Sequence, residues 1–128
     1  MDALLLVAHG SRRQQSNNEV TELADKLRDS CHDDYKIVHA GFLELATPSI
    51  PEGIENCIDD GATRITILPY FLNSGRHVVE DVPDFVVAAK NRHPDIDITI
   101  APHLGASPLM VELLVESAKS VSSVQVPT

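Results

Sequence analysis

The sequence has no tryptophan, and phenylalanine and tyrosine together make up only 4% of it. Basic residues are also scarce, ten against nineteen acidic ones, which leaves a formal net charge of −9. A chain this acidic, with few rings for stacking and no basic run, is a poor nucleic-acid binder. There are only two cysteines, Cys31 and Cys57, and no Cys-x-x-Cys. Zinc-ribbon and cysteine-ligated iron–sulfur readings therefore have no support, and both thiols read as structural. Long hydrophobic runs are missing too: none approaches the ~20 residues that span a bilayer. The apolar stretch near the start is preceded by Asp2 rather than by a basic region. It is too short for a signal peptide, so the expectation is a cytoplasmic protein with no membrane partner.

What the sequence does contain is an ordinary globular balance, 43% hydrophobic and 23% charged over 128 residues. That is enough chain for one core. The expected organisation is a single α/β domain over residues 1–121 with a short tail at 122–128. Ala3 to Ala8 is a continuous apolar run ended by His-Gly-Ser, the profile of a strand buried on both faces. Val20, Leu23, Ala24 and Leu27 follow at helical spacing. Lys36 to Leu43 reads as a second strand. Thr47-Pro48-Ser49-Ile50-Pro51 supplies hydroxyl caps and early prolines for a helix carrying Ile50, Ile54, Cys57 and Ile58, with Gly61 as its stop.

Thr63 to Phe71 is β-branched and apolar, the clearest strand. A helix from about Glu80 is expected to turn Phe85, Ala88 and Ala89 inward. Asp95 to Ala101 alternates polar and apolar, which suits an edge strand. Ser107-Pro108 reads as an N-cap and first-turn proline for a last helix through Met110, Leu113, Leu114 and Ser117. Four β–α units predict a four-stranded parallel sheet with helices on both faces, flavodoxin-like, in the order 2-1-3-4.

In such a sheet, ligands sit at the carboxyl ends of the strands. The first strand is followed by His9-Gly10-Ser11-Arg12-Arg13, the second by Glu44, the third by Asn73-Ser74-Gly75-Arg76-His77, and the fourth by Pro102-His103. Three exits thus deliver an imidazole and one a carboxylate. Two neutral imidazoles and a carboxylate suit Co(II), Ni(II), Fe(II) or Zn(II).

The segments Ala8-His9-Gly10-Ser11-Arg12, Phe42 to Ile50, and Leu68 to Leu72 running through Gly75-Arg76-His77 to Asp81-Val82-Pro83 closely resemble the CbiX/SirB family of class II sirohydrochlorin chelatases. The resemblance covers about residues 3 to 120, with three motifs in order and at the right spacing. It implies a chelatase lobe that inserts a divalent metal (cobalt foremost, else iron or nickel) into sirohydrochlorin without ATP. The metal is then a substrate, and no tightly bound cofactor is expected.

The resemblance carries the metal ligands to His9, Glu44 and His77, with His9 and His77 also suited to accept the pyrrole protons. It also implies a homodimer, because long family members hold two such lobes and this chain is one lobe long. Where the family often has a Pro-Leu-Gly turn, this chain inserts His103, which is either an extra ligand or a loop residue.

The substrate of that family carries eight carboxylates, so positive potential has to be local. Arg12, Arg13 and Arg76 fall in the same loops as the histidines, and arginine forks match carboxylates. The helix starts after Ser11, Thr47 and Ser107 point the same way and favour anions. Ser11 is read as a helix cap or a substrate contact. Gly10 and Gly75 allow tight turns or a close ligand, and Tyr70, Phe71 and Leu72 are cleft wall, dimer contact or core.

His32 and His93 near helix ends, and His39 within a strand, read as structural. Rival functions are a metal or tetrapyrrole carrier, a histidine phosphatase and a flavin carrier. The phosphatase wants an Arg directly before its His, where Ala8 stands. The flavin reading rests on fold alone.

Overall fold

The structure is a computed structural model that describes residues 1–75 and 80–121. Four strands alternate with helices: β1 (Asp2–Ala8), α1 (Gln14–Ser30), β2 (Ile37–Phe42), α2 (Ile50–Asp59), β3 (Arg64–Pro69), α3 (Val82–Arg92), β4 (Asp97–Ile100) and α4 (Met110–Lys119). A single 3₁₀ turn, Leu104–Ala106, lies between β4 and α4. The sheet is parallel throughout, in the order β2-β1-β3-β4. This is the α/β lobe and strand order that the sequence predicts, with β4 at an edge.

The central strand β1 is buried from Ala3 to Ala8, which is why it reads as unbroken apolar sequence. Its odd residues, Ala3, Leu5 and Val7, join Ile65, Ile67 and Ile98 beneath α2 and α3. Its even residues, Leu4 and Leu6, meet Val38, Ala40 and the Val20–Leu27 stripe of α1 on the other face. Period two in the strand thus feeds two cores.

α2 begins on Ser49 with a full capping box: the Ser49 hydroxyl accepts from the Glu52 N–H, and the Glu52 carboxylate accepts from the Ser49 N–H. That helix start is therefore already supplied with its anion, contrary to the expectation that it favours a substrate carboxylate.

Other details also depart from the sequence reading. In α3 the buried stripe is Val82, Val86 and Ala89, while Ala88 faces solvent. Spacings of four and three from Val82 pick those residues and leave Ala88 on the flank. Ser107 does not cap α4. It closes the 3₁₀ turn, its hydroxyl accepts from the Leu109 N–H, and the helix starts later, at Met110. Ser11 likewise sits ahead of α1, accepting from the Arg13 N–H, and the cap position falls on Arg13.

No residue of α4 is buried; within the lobe it packs chiefly on the Leu104–Ala106 turn. Among the described residues no helix is long and apolar enough to cross a membrane. The expected tail at 122–128 lies outside the described residues.

Candidate functional site at the strand exits

The hydrogen-bond pattern of the sheet continues past the ends of its strands. Leu43 N–H donates to Ala8 O at 2.9 Å and Glu44 N–H to His9 O at 3.0 Å, joining the exits of β2 and β1. Tyr70 N–H donates to Val7 O at 2.8 Å, and Gly105 N–H to Phe71 O at 2.9 Å, joining the exits of β1, β3 and β4. The loops that carry the chemistry are thereby fixed backbone to backbone, which holds a site better than free loops do.

Gly10 makes the first of these junctions possible. Its φ is +89°, and a Cβ there would lie 1.7 Å from the carbonyl oxygen of Glu44. Only glycine lets the chain leave β1 while pressed against the Glu44 backbone. Glu44 is followed by Leu45 at φ 64°, an apolar residue held exposed in left-handed backbone. Such conformations persist where the surroundings impose them, often at functional sites.

Asn17 fixes the other side of the His9 loop. It is the one buried polar side chain among the described residues. Its amide accepts from Ser11 N–H at 2.9 Å and donates to Ser11 O at 2.8 Å, so the loop backbone is satisfied by one side chain. Sequence reading missed this residue. The signal was an asparagine on the apolar stripe of α1, three residues before Val20.

His9 and Glu44 are brought to adjoining backbone positions and both are exposed. Among the described residues neither side chain makes a hydrogen bond or ion pair; the His9 imidazole meets only the Phe71 ring, edge-on, at 4.4 Å between centroids. Arg12 and Arg13 are exposed beside them, and among the described residues neither is held by a carboxylate.

His77 and Arg76 lie outside the described residues, so the third expected ligand and third arginine are not placed. Among the described residues no three His, Cys, Asp or Glu side chains are grouped to hold a metal ion. Gly75 is exposed with nothing within 4 Å of where a Cβ would stand, so no neighbour among the described residues demands a glycine there.

Two cavities flank the junction. One of about 340 Å³ lies between the start of α1 and the segment after β2, lined by Gln14, Asn17, Thr21, Leu45 and Thr47 among others. The other, about 230 Å³, is lined by Tyr70, Phe71, Leu72 and Leu104. Phe71 is buried core, while Tyr70 and Leu72 stand exposed as wall. His103 lines a separate groove with Leu68, Pro102 and Pro108.

The remaining histidines have structural partners or none near the site. His39 pairs with Asp60 at 2.6 Å and His93 with Glu55 at 2.9 Å, while His32 is exposed beyond α1. The hydrogen bond from His93, with Arg92 adding to it, holds the Glu55 carboxyl below its ordinary pKa against a smaller opposing effect of burial. Burial, with Asp60 adding to it, pushes the Cys57 thiol up to about 12, so it stays protonated and unreactive at neutral pH.

Fold and site together define a parallel α/β lobe that gathers its exposed polar residues at the strand exits. The CbiX family model matches residues 3–121, and the chain belongs to that family. It is 34% identical over 116 residues to the sirohydrochlorin ferrochelatase of Priestia megaterium, covering 91% of this chain and 43% of the relative. Among solved structures, the sirohydrochlorin chelatase SirB of Bacillus subtilis subspecies spizizenii in complex with cobalt superposes with a TM-score of 0.80 at 29% identity, over 94% of this chain and 50% of that one. A CbiX protein of Marinobacter aquaeolei, described as a putative cobalamin biosynthesis protein, gives 0.74 at 25% identity, over 93% and 95%. The chain spans about half the length of the curated relatives it matches.

Proposed function

We propose that this chain is a lobe of a cytoplasmic sirohydrochlorin metal chelatase, with Co(II), Fe(II) or Ni(II) as the metal substrate. The observation that carries this reading is the junction of His9 and Glu44, two metal-competent side chains with no hydrogen bond or ion pair among the described residues, locked backbone to backbone at the strand exits. The family's named ferrochelatases and cobaltochelatases, and a SirB structure with cobalt, support the chemistry and, of the three metals, cobalt and iron.

Insertion exchanges two pyrrole N–H protons for one dication, so it needs a ligand set and proton acceptors; that it runs without ATP is what the resemblance to the family implies. His9 and His77 serve as ligands and acceptors, since neutral imidazole binds borderline metals and carries a basic ring nitrogen. Glu44 completes the set, and its charge lowers the cost of holding a dication. Arg12, Arg13 and Arg76 take substrate carboxylates, with Ser11 and the open backbone at Gly75 alongside.

At about 340 and 230 Å³ the two cavities lie at or below the low end of the ~300–1,000 Å³ that drug-sized ligands occupy, and a tetrapyrrole is larger than those ligands. One lobe supplies one wall, and the cleft is completed by a second copy in a homodimer. α4 supports this: Val111, Leu114 and Val115 stand 69%, 60% and 46% exposed at helical spacing, flanked by Leu109 and Leu113. Together they present on the order of 500 Å² of apolar surface, the size of the largest apolar patch on a typical monomer, which is often an interaction site. Two copies would bury ~1,000 Å² from these side chains alone, the lower threshold of a biological interface, with the surrounding residues adding to it. Light scattering should give a dimer that Leu114→Glu converts to monomer; a wild-type monomer under assay conditions refutes this part.

The activity is tested by anaerobic incubation with sirohydrochlorin and each metal, following the visible spectrum. Multiple turnovers, largely abolished by His9→Ala and by His77→Ala, are expected. Binding of the macrocycle without turnover would instead make the protein a carrier.

A further inference from the structure

A metal-binding imidazole is normally oriented by a hydrogen bond from its second nitrogen to a carboxylate or carbonyl. Among the described residues His9 makes none. Its one directional side-chain contact among the described residues is the Phe71 ring, met at 4.4 Å and 77°, the edge-to-face arrangement that aromatic quadrupoles favour. Phe71 is itself immobilised. It is 4% exposed within the larger core, and its carbonyl accepts from Gly105 N–H at 2.9 Å.

Gly105 is pressed so closely on that segment that a Cβ would lie 1.7 Å from Leu72 O, 2.5 Å from Leu72 C and 2.9 Å from Leu72 Cα. All three are backbone atoms and cannot swing aside. A chain of contacts therefore runs from the β4 exit, through the β3 exit, to the imidazole at the β1 exit.

We propose that Phe71 is the positioning residue for His9, doing the orienting that a hydrogen-bond acceptor does elsewhere, and that Gly105 holds Phe71 in register. This rests on the reading of His9 as a metal ligand. The ring restricts the imidazole to one orientation before metal arrives, so the ordering cost is met by the fold and not by binding. Gly105 is needed because any side chain there displaces the Leu72 backbone and carries Phe71 with it.

The test uses the whole chain and Co(II) alone, measured by calorimetry, with NMR of the His9 ring protons in the metal-free protein. Phe71→Leu keeps most of the apolar volume but removes the ring. It is expected to abolish the ring-current displacement of the His9 signals and weaken Co(II) binding about tenfold or more, as loss of an outer orienting partner does. Phe71→Tyr, which keeps the ring, is expected to preserve both.

Gly105→Ala changes no atom beside His9, so a displaced His9 signal together with weaker Co(II) binding supports the relay. Unchanged His9 signals and wild-type Co(II) affinity in folded Phe71→Leu overturn the proposal, whatever Gly105→Ala does. His9→Ala separates the two levels: if it leaves Co(II) affinity intact, the ligand reading of His9 fails, whereas an NMR response to Phe71→Leu still reports the positioning contact.

Discussion

Replacing Gly10 with alanine puts the His9–Glu44 junction to its most direct test. The φ of +89° is one that residues with a Cβ rarely adopt, and left-handed backbone costs them ~1–2 kcal/mol. The new Cβ would also lie 1.7 Å from Glu44 O, so the segment must retreat by on the order of 1.5 Å or more to reach van der Waals separation. That movement breaks the Glu44 N–H to His9 O bond, worth about 1 kcal/mol net. The total of ~2–3 kcal/mol corresponds to a fall of roughly 5–12 °C in Tm for a domain of this size.

Gly61→Ala is the control. Gly61 also has a left-handed φ, +104°, but its Cβ would meet only the flexible end of Met1 at 3.3 Å, far from the site. Gly61→Ala should lose stability through the backbone alone and keep its turnover per folded molecule. Gly10→Ala should lose more stability and most of its turnover. Calorimetry paired with the chelatase assay reads both. Equal destabilisation of the two variants, with turnover intact in Gly10→Ala, would refute the claim that this contact holds the two proposed ligands together.

Asn17→Ala removes both bonds to Ser11 and leaves loop backbone groups without partners; urea denaturation should show a loss of ~1–3 kcal/mol. Because its folded-state pKa lies below the ordinary 4.5, Glu55 adds stability above that value and loses it as the pH falls through the lowered one. The gap in stability between wild type and Glu55→Gln should therefore narrow on acidification below about 4.5. It should also be small and reduced by salt, since the carboxylate is partly exposed. A gap that widens in acid would reverse the assignment. Cys57 should resist a thiol reagent until the protein is unfolded, being buried and protonated; stoichiometric labelling of Cys57 in the native protein would contradict that.

The sequence by itself determined the alternation of strands and helices, because burial on both faces of β1 leaves an unbroken apolar run and the helical stripes repeat at fixed spacing. It also placed His9 and Glu44 at strand exits, since the exits of a parallel sheet follow directly from where its strands end. Tertiary structure alone decided what surrounds them. Gly10 and Gly105 look like any turn glycine until the Glu44 and Leu72 backbones are seen to occupy the space of their side chains. Asn17 and Phe71 meet their partners, Ser11 and His9, only through contacts with other segments. The last helix reads as an ordinary amphipathic element, and only the fold leaves its apolar face uncovered. Local pattern encodes which face of an element is apolar; what meets that face depends on contacts between residues far apart in the chain.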